Sequence, residues 1–350
     1  MYLDLVKIFM PAAVALFFGI FITPLATYFF YKHEMWKKYP RTLGKVGEFQ
    51  KIHNTKDELR TPRVGGVIIW ISVLATTLII STVATIFPTA ITEKLNFLSR
   101  SQTLIPFFTL FLGSLVGLFD DLIQIYGTGK IAHDDNSWRK WKAFLVFSMA
   151  LLISIWFYYK LGMDSIHIPF GGDLYLGILI IPLFITVALG TFSSGVIDGI
   201  DGLSGGVLAF IFSAYSALAF ANSQIDIAAF SAVISGAILA FLWFNIPPAR
   251  FYMGETGMMG LTIVLATLAF LTDSVLILPI LALPLTATSL SVVIQLLSKK
   301  FRGGKRVFKL APLHHHFEAV GWPSYKVTMR YWVISIIFSI IGVILAIISK

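Results

Sequence analysis

Ten apolar runs, each near the length that crosses a bilayer, set the limits on how this 350-residue chain can fold. They fall at about 4–31, 64–87, 103–125, 142–162, 174–192, 203–221, 226–244, 256–272, 274–297 and 331–349. A helix needs about 20 predominantly apolar residues to span the hydrocarbon core. In lipid, only helices and closed barrels satisfy their own backbone groups. Runs of this length therefore predict helices. The chain is 57% hydrophobic and 13% charged, against about 25% charged in an ordinary soluble domain. The expected class is an all-α polytopic integral membrane protein, a single transmembrane domain over residues 1–350. The first run is longer than the ~7–15-residue core of a signal peptide, so it reads as a retained helix. The sixth to eighth runs are short, which leaves nine or eleven helices as alternative counts.

Charge orients the bundle. In a ten-helix arrangement the loops 32–63, 126–142, 193–202, 245–256 and 298–330 share one side. They carry nine, four, no, one and eight basic residues respectively, 22 of the 27 in the chain. The positive-inside rule puts that side in the cytoplasm and both termini outside. The net charge of +9 is then a cytoplasmic collar. It serves topology and attraction to anionic headgroups, or it draws in an anionic substrate. Nothing points to nucleic acid. Cysteine is absent, which excludes disulfides and thiolate chemistry.

The carboxylates discriminate between function classes. Asp120 and Asp121 end the third run, Asp198 and Asp201 lie in "DGIDGLSGG", and Glu255 lies in "FYMGETG". All sit at the cytoplasmic edge and none at the middle of a run. Ion-coupled transporters need ionisable groups near the midplane, whereas a plane of acids at one face suits chemistry between a soluble substrate and a lipid headgroup. Local structural roles remain open for each. Asp120 and Asp121 point about 100° apart on a helix, so one can meet a metal while the other pairs with a cation. Asp201 can cap the following helix. Glu255 is favoured at a helix start by the dipole. Several carboxylates with no cysteine suit Mg²⁺ rather than Zn²⁺.

The motifs "GLFDDL", "DGIDGLSGG", "NIPPARFYMGETG" and "GGKRVFKLAPLHHHFEAVGW" occur in this order, with "RTPRVGG" ahead of them. Together, over essentially the whole chain, they resemble the polyprenyl-phosphate N-acetylhexosamine-1-phosphate transferases. The histidine motif is similar to the muramoyl-pentapeptide branch of that family. The resemblance implies ten helices with an active site at the cytoplasmic face of a bacterial inner membrane, and a homodimer. It implies that undecaprenyl phosphate attacks UDP-MurNAc-pentapeptide, releasing UMP and leaving lipid I, with Mg²⁺ as cofactor. Another UDP-N-acetylhexosamine remains an alternative donor, and a non-catalytic scaffold or transporter a further one.

Carried over by motif, the resemblance implies catalytic roles for Asp120, Asp121, Asp198 and His314. It implies substrate binding by Lys56, Thr61, Lys142, Asp201, Asn245, His315 and His316, and metal binding by Glu255 and Asp198. A phosphate monoester has its second pKa near about 6, so a lipid phosphate needs little help from Asp120 as a base. The chain departs from the family pattern in three places. Phe192 and Gly195 stand where asparagines are expected, with Ser193 and Ser194 as polar substitutes. Glu255 replaces an aspartate, and Met258 replaces a small polar residue. Three adjacent histidines do not converge on one ion. They read as a loop lining the diphosphate site, where imidazoles donate to phosphate oxygens.

Overall fold

A computed structural model describes residues 1–36, 60–99, 103–127 and 136–349, without the side chains of 136–139. Lys56 lies outside the described residues, as does most of the basic segment before "RTPRVGG". The helices are α1 (Tyr2–Lys32), α2 (Gly66–Ile86), short α3 (Ala90–Leu95), α4 (Leu104–Tyr126), α5 (Asn136–Leu161), α6 (Ile180–Ser193), α7 (Leu203–Ala221), α8 (Ile225–Asn245), α9 (Gly254–Leu271), α10 (Leu278–Leu281), α11 (Leu283–Phe301), α12 (Leu313–Ala319) and α13 (Ser324–Ile348). One antiparallel hairpin, β1 (Ser165–Ile168) with β2 (Gly172–Tyr175), pairs Ser165 with Tyr175 and Ile168 with Gly172. The expected helical class holds.

Among the described residues, nine helices are long and apolar enough to cross a membrane. The run expected at 274–297 departs from the prediction. It breaks at Ala282 into α10 and α11, each with a proline in its first turn. Proline lacks a backbone N–H and starts a helix more readily than it continues one. The run expected from 174 begins later, because β2 and a short 3₁₀ turn at 177–179 precede α6. The last run begins earlier, at Ser324. A run of contacts brings both chain ends to one end of the bundle, where Asn222 Nδ2 donates to Thr272 O and His167 N to Asp273 Oδ1. There Lys7 pairs with Asp226 and Lys94 with Asp4, and the His167 ring meets the Ser349 carbonyl.

Helices α7, α8 and α9 are buried on nearly every side, while α1, α5 and α13 present much of their apolar surface outward. Lipid supplies no hydrophobic drive between helices, so close packing through small residues carries the association. Two crossings show this. A Cβ on Gly236 of α8 would lie 2.3 Å from the Ala12 carbonyl oxygen of α1. A Cβ on Gly113 would lie 2.9 Å from the Gly260 Cα, and one on Gly117 would lie 2.1 Å from the Glu255 carbonyl oxygen. The second crossing brings α4 against α9 and sets up the site, because Gly113, Gly117 and Asp121 recur at i, i+4 and i+8 on one face of α4.

Candidate active site

The start of α9 is the pivot. The first amides of a helix have no partners within it. Here two carboxylates from elsewhere in the chain accept them. Gly254 N donates to Asp198 Oδ2 at 3.1 Å. Glu255 N and Thr256 N donate to Asp121 Oδ1 and Oδ2 at 3.3 and 2.8 Å, and Thr256 Oγ1 donates to Oδ2 at 2.6 Å. Negative charge at this end also complements the helix dipole. Gly254 has φ +68°, and a Cβ there would collide with the Arg63 carbonyl oxygen and lie 2.5 Å from Asp121 Oδ2. Only glycine allows this approach. The segment leading into α9 also pairs with "TPRVGG": Tyr252 N donates to Pro62 O at 2.8 Å, Gly65 N to Tyr252 O at 2.9 Å, and Gly66 N to Met253 O at 2.9 Å. Thr61, the predicted substrate contact, is buried at the head of this pairing.

Asp120 projects from a different face of α4. Its Oδ2 accepts from Lys142 Nζ at 3.1 Å and from Gln124 Nε2 at 2.7 Å. Lys142 Nζ also donates to Glu255 Oε1 at 3.2 Å. One ammonium thus joins carboxylates from α4 and α9. Asp120 is 1% exposed and Glu255 33% exposed, so Glu255 is the more accessible of the two. Removing one partner from a buried ion pair leaves an uncompensated charge, which ties the three side chains together energetically. The adjacent aspartates have divided their work as helix geometry allows, Asp120 meeting a cation and Asp121 anchoring α9.

The segment 198–202 turns tightly between a 3₁₀ stretch (Ser194–Ile197) and α7. Asp198 Oδ1 accepts from Ser204 Oγ at 2.7 Å. The cap position of α7, which the sequence left open to Asp201, falls one residue later. Gly202 holds the cap position in the left-handed conformation, and Asp201 Oδ2 instead accepts from Ala249 N at 3.0 Å. Asn245 joins the turn to the α9 approach: Oδ1 accepts from Gly202 N at 2.9 Å and Nδ2 donates to Phe251 O at 2.8 Å. Ser193 and Ser194 donate to the carbonyls of Gly190 and Thr191 in the last turn of α6.

The histidines form the short helix α12 where a loop was expected. His314 and His315 are buried against the turn. A Cβ on Gly199 would lie 2.6 Å from His314 Nε2 and 2.9 Å from His315 Nε2. His316 faces another way, its Nδ1 accepting from Lys309 N at 3.1 Å. The segment before α12 is held by Gln295 of α11, which accepts from Val307 N and Phe308 N and donates to Phe308 O. Sequence reasoning missed Gln295, Thr256 and Ser204, and took Glu318 only as part of the histidine motif. The partners of Gln295, Thr256 and Ser204 lie outside their own helices, so only the α4 stripe of two glycines and Asp121 carried a readable signal.

One end of the bundle therefore gathers Asp120, Asp121, Lys142, Asp198, Asp201, Asn245, Glu255, His314 and His315. An ammonium beside accessible and buried carboxylates, with imidazoles opposite, can hold a phosphorylated substrate and compensate changes in its charge. Glu255 and the aspartates offer oxygen donors, which suit a hard cation. Among the described residues, the trio of His and Asp side chains whose ligand atoms lie within 4.8 Å of one another is His167, Asp173 and Asp273, at the opposite end. No preformed cage is needed for Mg²⁺, which takes one or two carboxylates and completes its shell with phosphate and water.

Comparison with known proteins agrees with this geometry. Residues 103–273, from the start of α4 through α9, match the family model described as Glycosyl transferase family 4. The chain is 35% identical over 289 residues to the phospho-N-acetylmuramoyl-pentapeptide-transferase of Geobacillus sp. (strain WCH70), covering 81% of this chain and 83% of the relative. It is 34% identical over 300 residues to that of Bacillus subtilis (strain 168), covering 85% and 86%. It is 32% identical over 338 residues to that of Bacillus cytotoxicus (strain DSM 22905 / CIP 110041 / 391-98 / NVH 391-98), covering 95% of both. With the acids, the lysine and the histidines gathered at one end of a helical membrane bundle, the chain belongs to the phospho-N-acetylmuramoyl-pentapeptide-transferase family.

Proposed function

We propose that this protein transfers phospho-MurNAc-pentapeptide from UDP-MurNAc-pentapeptide to undecaprenyl phosphate, forming lipid I and releasing UMP. The observation that carries this reading is Lys142 Nζ held between Asp120 and Glu255 at 3.1 and 3.2 Å, in a chain of this family. Phosphoryl transfer depends mainly on positioning and charge compensation. Lys142 supplies a fixed positive charge to the diphosphate. Asp120 aims Lys142 rather than acting as an obligatory base, because the lipid phosphate is already largely dianionic at neutral pH. Asp121 and Asp198 hold the start of α9, so Glu255 keeps its place beside Lys142. His314 and His315 face the turn that carries Asp198 and Asp201, where imidazole N–H groups meet phosphate oxygens.

The residues fit Mg²⁺ as cofactor. Glu255 is accessible, and Asp198 reaches the neighbouring residue through Gly254 N, so the two carboxylates that would hold the ion meet at one helix start. Glu255 and Asp198 would hold Mg²⁺, which would supply charge neutralisation for the diphosphate and the leaving UMP. The 22 basic residues that the sequence gathers in alternate loops support a cytoplasmic orientation in a bacterial inner membrane. The test is UMP release by purified protein given undecaprenyl phosphate, Mg²⁺ and either UDP-MurNAc-pentapeptide or UDP-GlcNAc. Release with the first donor alone is expected. Release with neither overturns the enzymatic reading, and release with UDP-GlcNAc alone overturns the donor assignment.

A further inference from the structure

His315 and Glu318 lie three residues apart on α12, so their side chains share a face. His315 Nδ1 is 2.7 Å from Glu318 Oε2. The Glu318 side chain is 1% exposed and that of His315 is 8% exposed. The other carboxylate oxygen, Glu318 Oε1, accepts from Ser324 Oγ at 2.6 Å. Ser324 is the first residue of α13. The carboxylate is therefore pinned from two sides, between a short helix and the start of a long one. The backbone shortens the link further, since Gly321 N donates to Glu318 O at 2.9 Å.

An ionised carboxylate only accepts hydrogen bonds. The histidine nitrogen that faces it must carry a proton, so His315 has Nδ1–H toward Glu318. That leaves Nε2 at the far edge of the ring. Nε2 lies against Gly199, where a Cβ would approach it to 2.9 Å. Gly199 sits between Asp198 and Asp201, the turn that ties into α9. The group behind an imidazole sets both its tautomer and its angle, and such partners matter although they never touch substrate.

We infer that Glu318 is a positioning residue for the transfer reaction: it fixes the tautomer and angle of His315, and with them the nitrogen that faces the 198–202 turn. This inference rests on the function proposed above. Ser324 belongs to the same device, since it holds the carboxylate against rotation. A bulk packing role would be served by any side chain of similar volume, whereas a positioning role demands an acceptor at the Glu318 oxygen.

The experiment measures kcat and KM for UMP release, and the unfolding midpoint in detergent, for wild type, Glu318→Ala, Glu318→Gln, Glu318→Leu, His315→Ala and the Glu318→Ala/His315→Ala double variant. An inactive wild type refutes the proposed function, while an active one makes the remaining comparisons bear on Glu318 alone. Glu318→Ala and Glu318→Leu are expected to lower kcat by roughly 10- to 100-fold, the usual effect of removing such a partner, with KM little changed. Glu318→Gln is expected to recover most of kcat, because its amide oxygen still accepts from Nδ1 and its NH₂ turns to Ser324 Oγ. Glu318→Ala is expected to add nothing to the loss caused by His315→Ala, since residues acting through one another are not additive. Full additivity in the double variant overturns the inference, as does a Leu variant as active as Gln. If Glu318→Ala does not fold, Ser324→Ala replaces it, and an unaltered kcat there together with equal kcat in the Gln and Leu variants also overturns it.

Discussion

Substituting Asp121 by Asn separates anchoring from chemistry at the α4–α9 crossing. Asp121 accepts three hydrogen bonds, from Glu255 N at 3.3 Å, Thr256 N at 2.8 Å and Thr256 Oγ1 at 2.6 Å. Bonds to an ionised acceptor contribute about 1.5–3 kcal/mol each and neutral ones about 0.5–1.5. An asparagine can turn its single oxygen to Thr256, so those two bonds weaken by about 1 kcal/mol each. Its NH₂ then faces the Glu255 N–H, donor against donor, and a buried unpaired donor costs about 1–3 kcal/mol. Relief of carboxylate desolvation offsets part of this. The expected net loss is about 2–4 kcal/mol, concentrated at the helix start that carries Glu255. Thr256→Val, which removes only the hydroxyl bond, is expected to lose about 1–2 kcal/mol. The assay pairs the unfolding midpoint in detergent with UMP release. Both should fall together in Asp121→Asn, and by less in Thr256→Val. An unchanged midpoint with abolished turnover would refute the anchoring argument and assign Asp121 to the chemical step.

The same crossing predicts that Gly117→Ala destabilises by about 1–3 kcal/mol or more, because the added methyl meets the Glu255 backbone. Gly190→Ala on α6, where a Cβ meets nothing within 4 Å, should leave the unfolding midpoint level or raised. Glu255→Asp should keep metal-dependent UMP release and Glu255→Gln should need more Mg²⁺ to reach half its maximal rate; chelator-insensitive turnover in wild type would remove Mg²⁺ from the proposal. At the opposite end, Asp173 Oδ1 and the Ser349 carbonyl face the two ring nitrogens of His167 at 3.0 and 2.9 Å. The Asp173 contact, then the Ser349 carbonyl, raise the His167 pKa above its usual value, with the Asp273 and Asp173 charges adding and burial opposing. The folded state then holds its proton more tightly than the unfolded state, so the clasp stabilises fully below about pH 6.5 and is lost as pH rises through the raised value. Midpoints measured across that window should decline in wild type and stay level in His167→Asn.

Hydropathy is a sum over neighbours in the chain, so the apolar runs already determined the helical class and the approximate helix count. The motifs likewise marked the acids, Lys142 and the histidines, because each cluster is local. The i, i+4, i+8 stripe of Gly113, Gly117 and Asp121 lies in the sequence too, but only the α4–α9 crossing gives it meaning. Tertiary structure decided what each group does. Adjacent Asp120 and Asp121 are alike in sequence, yet one holds Lys142 and the other holds the start of α9, 134 residues away. Asp201 lies just ahead of α7 in the chain, yet its Oδ2 reaches Ala249 N beyond the end of α8. Prolines broke a run whose composition reads as continuous. The partner of a buried carboxylate is set by where helices cross, and a crossing depends on side chains from two distant segments at once. No window along the chain contains both.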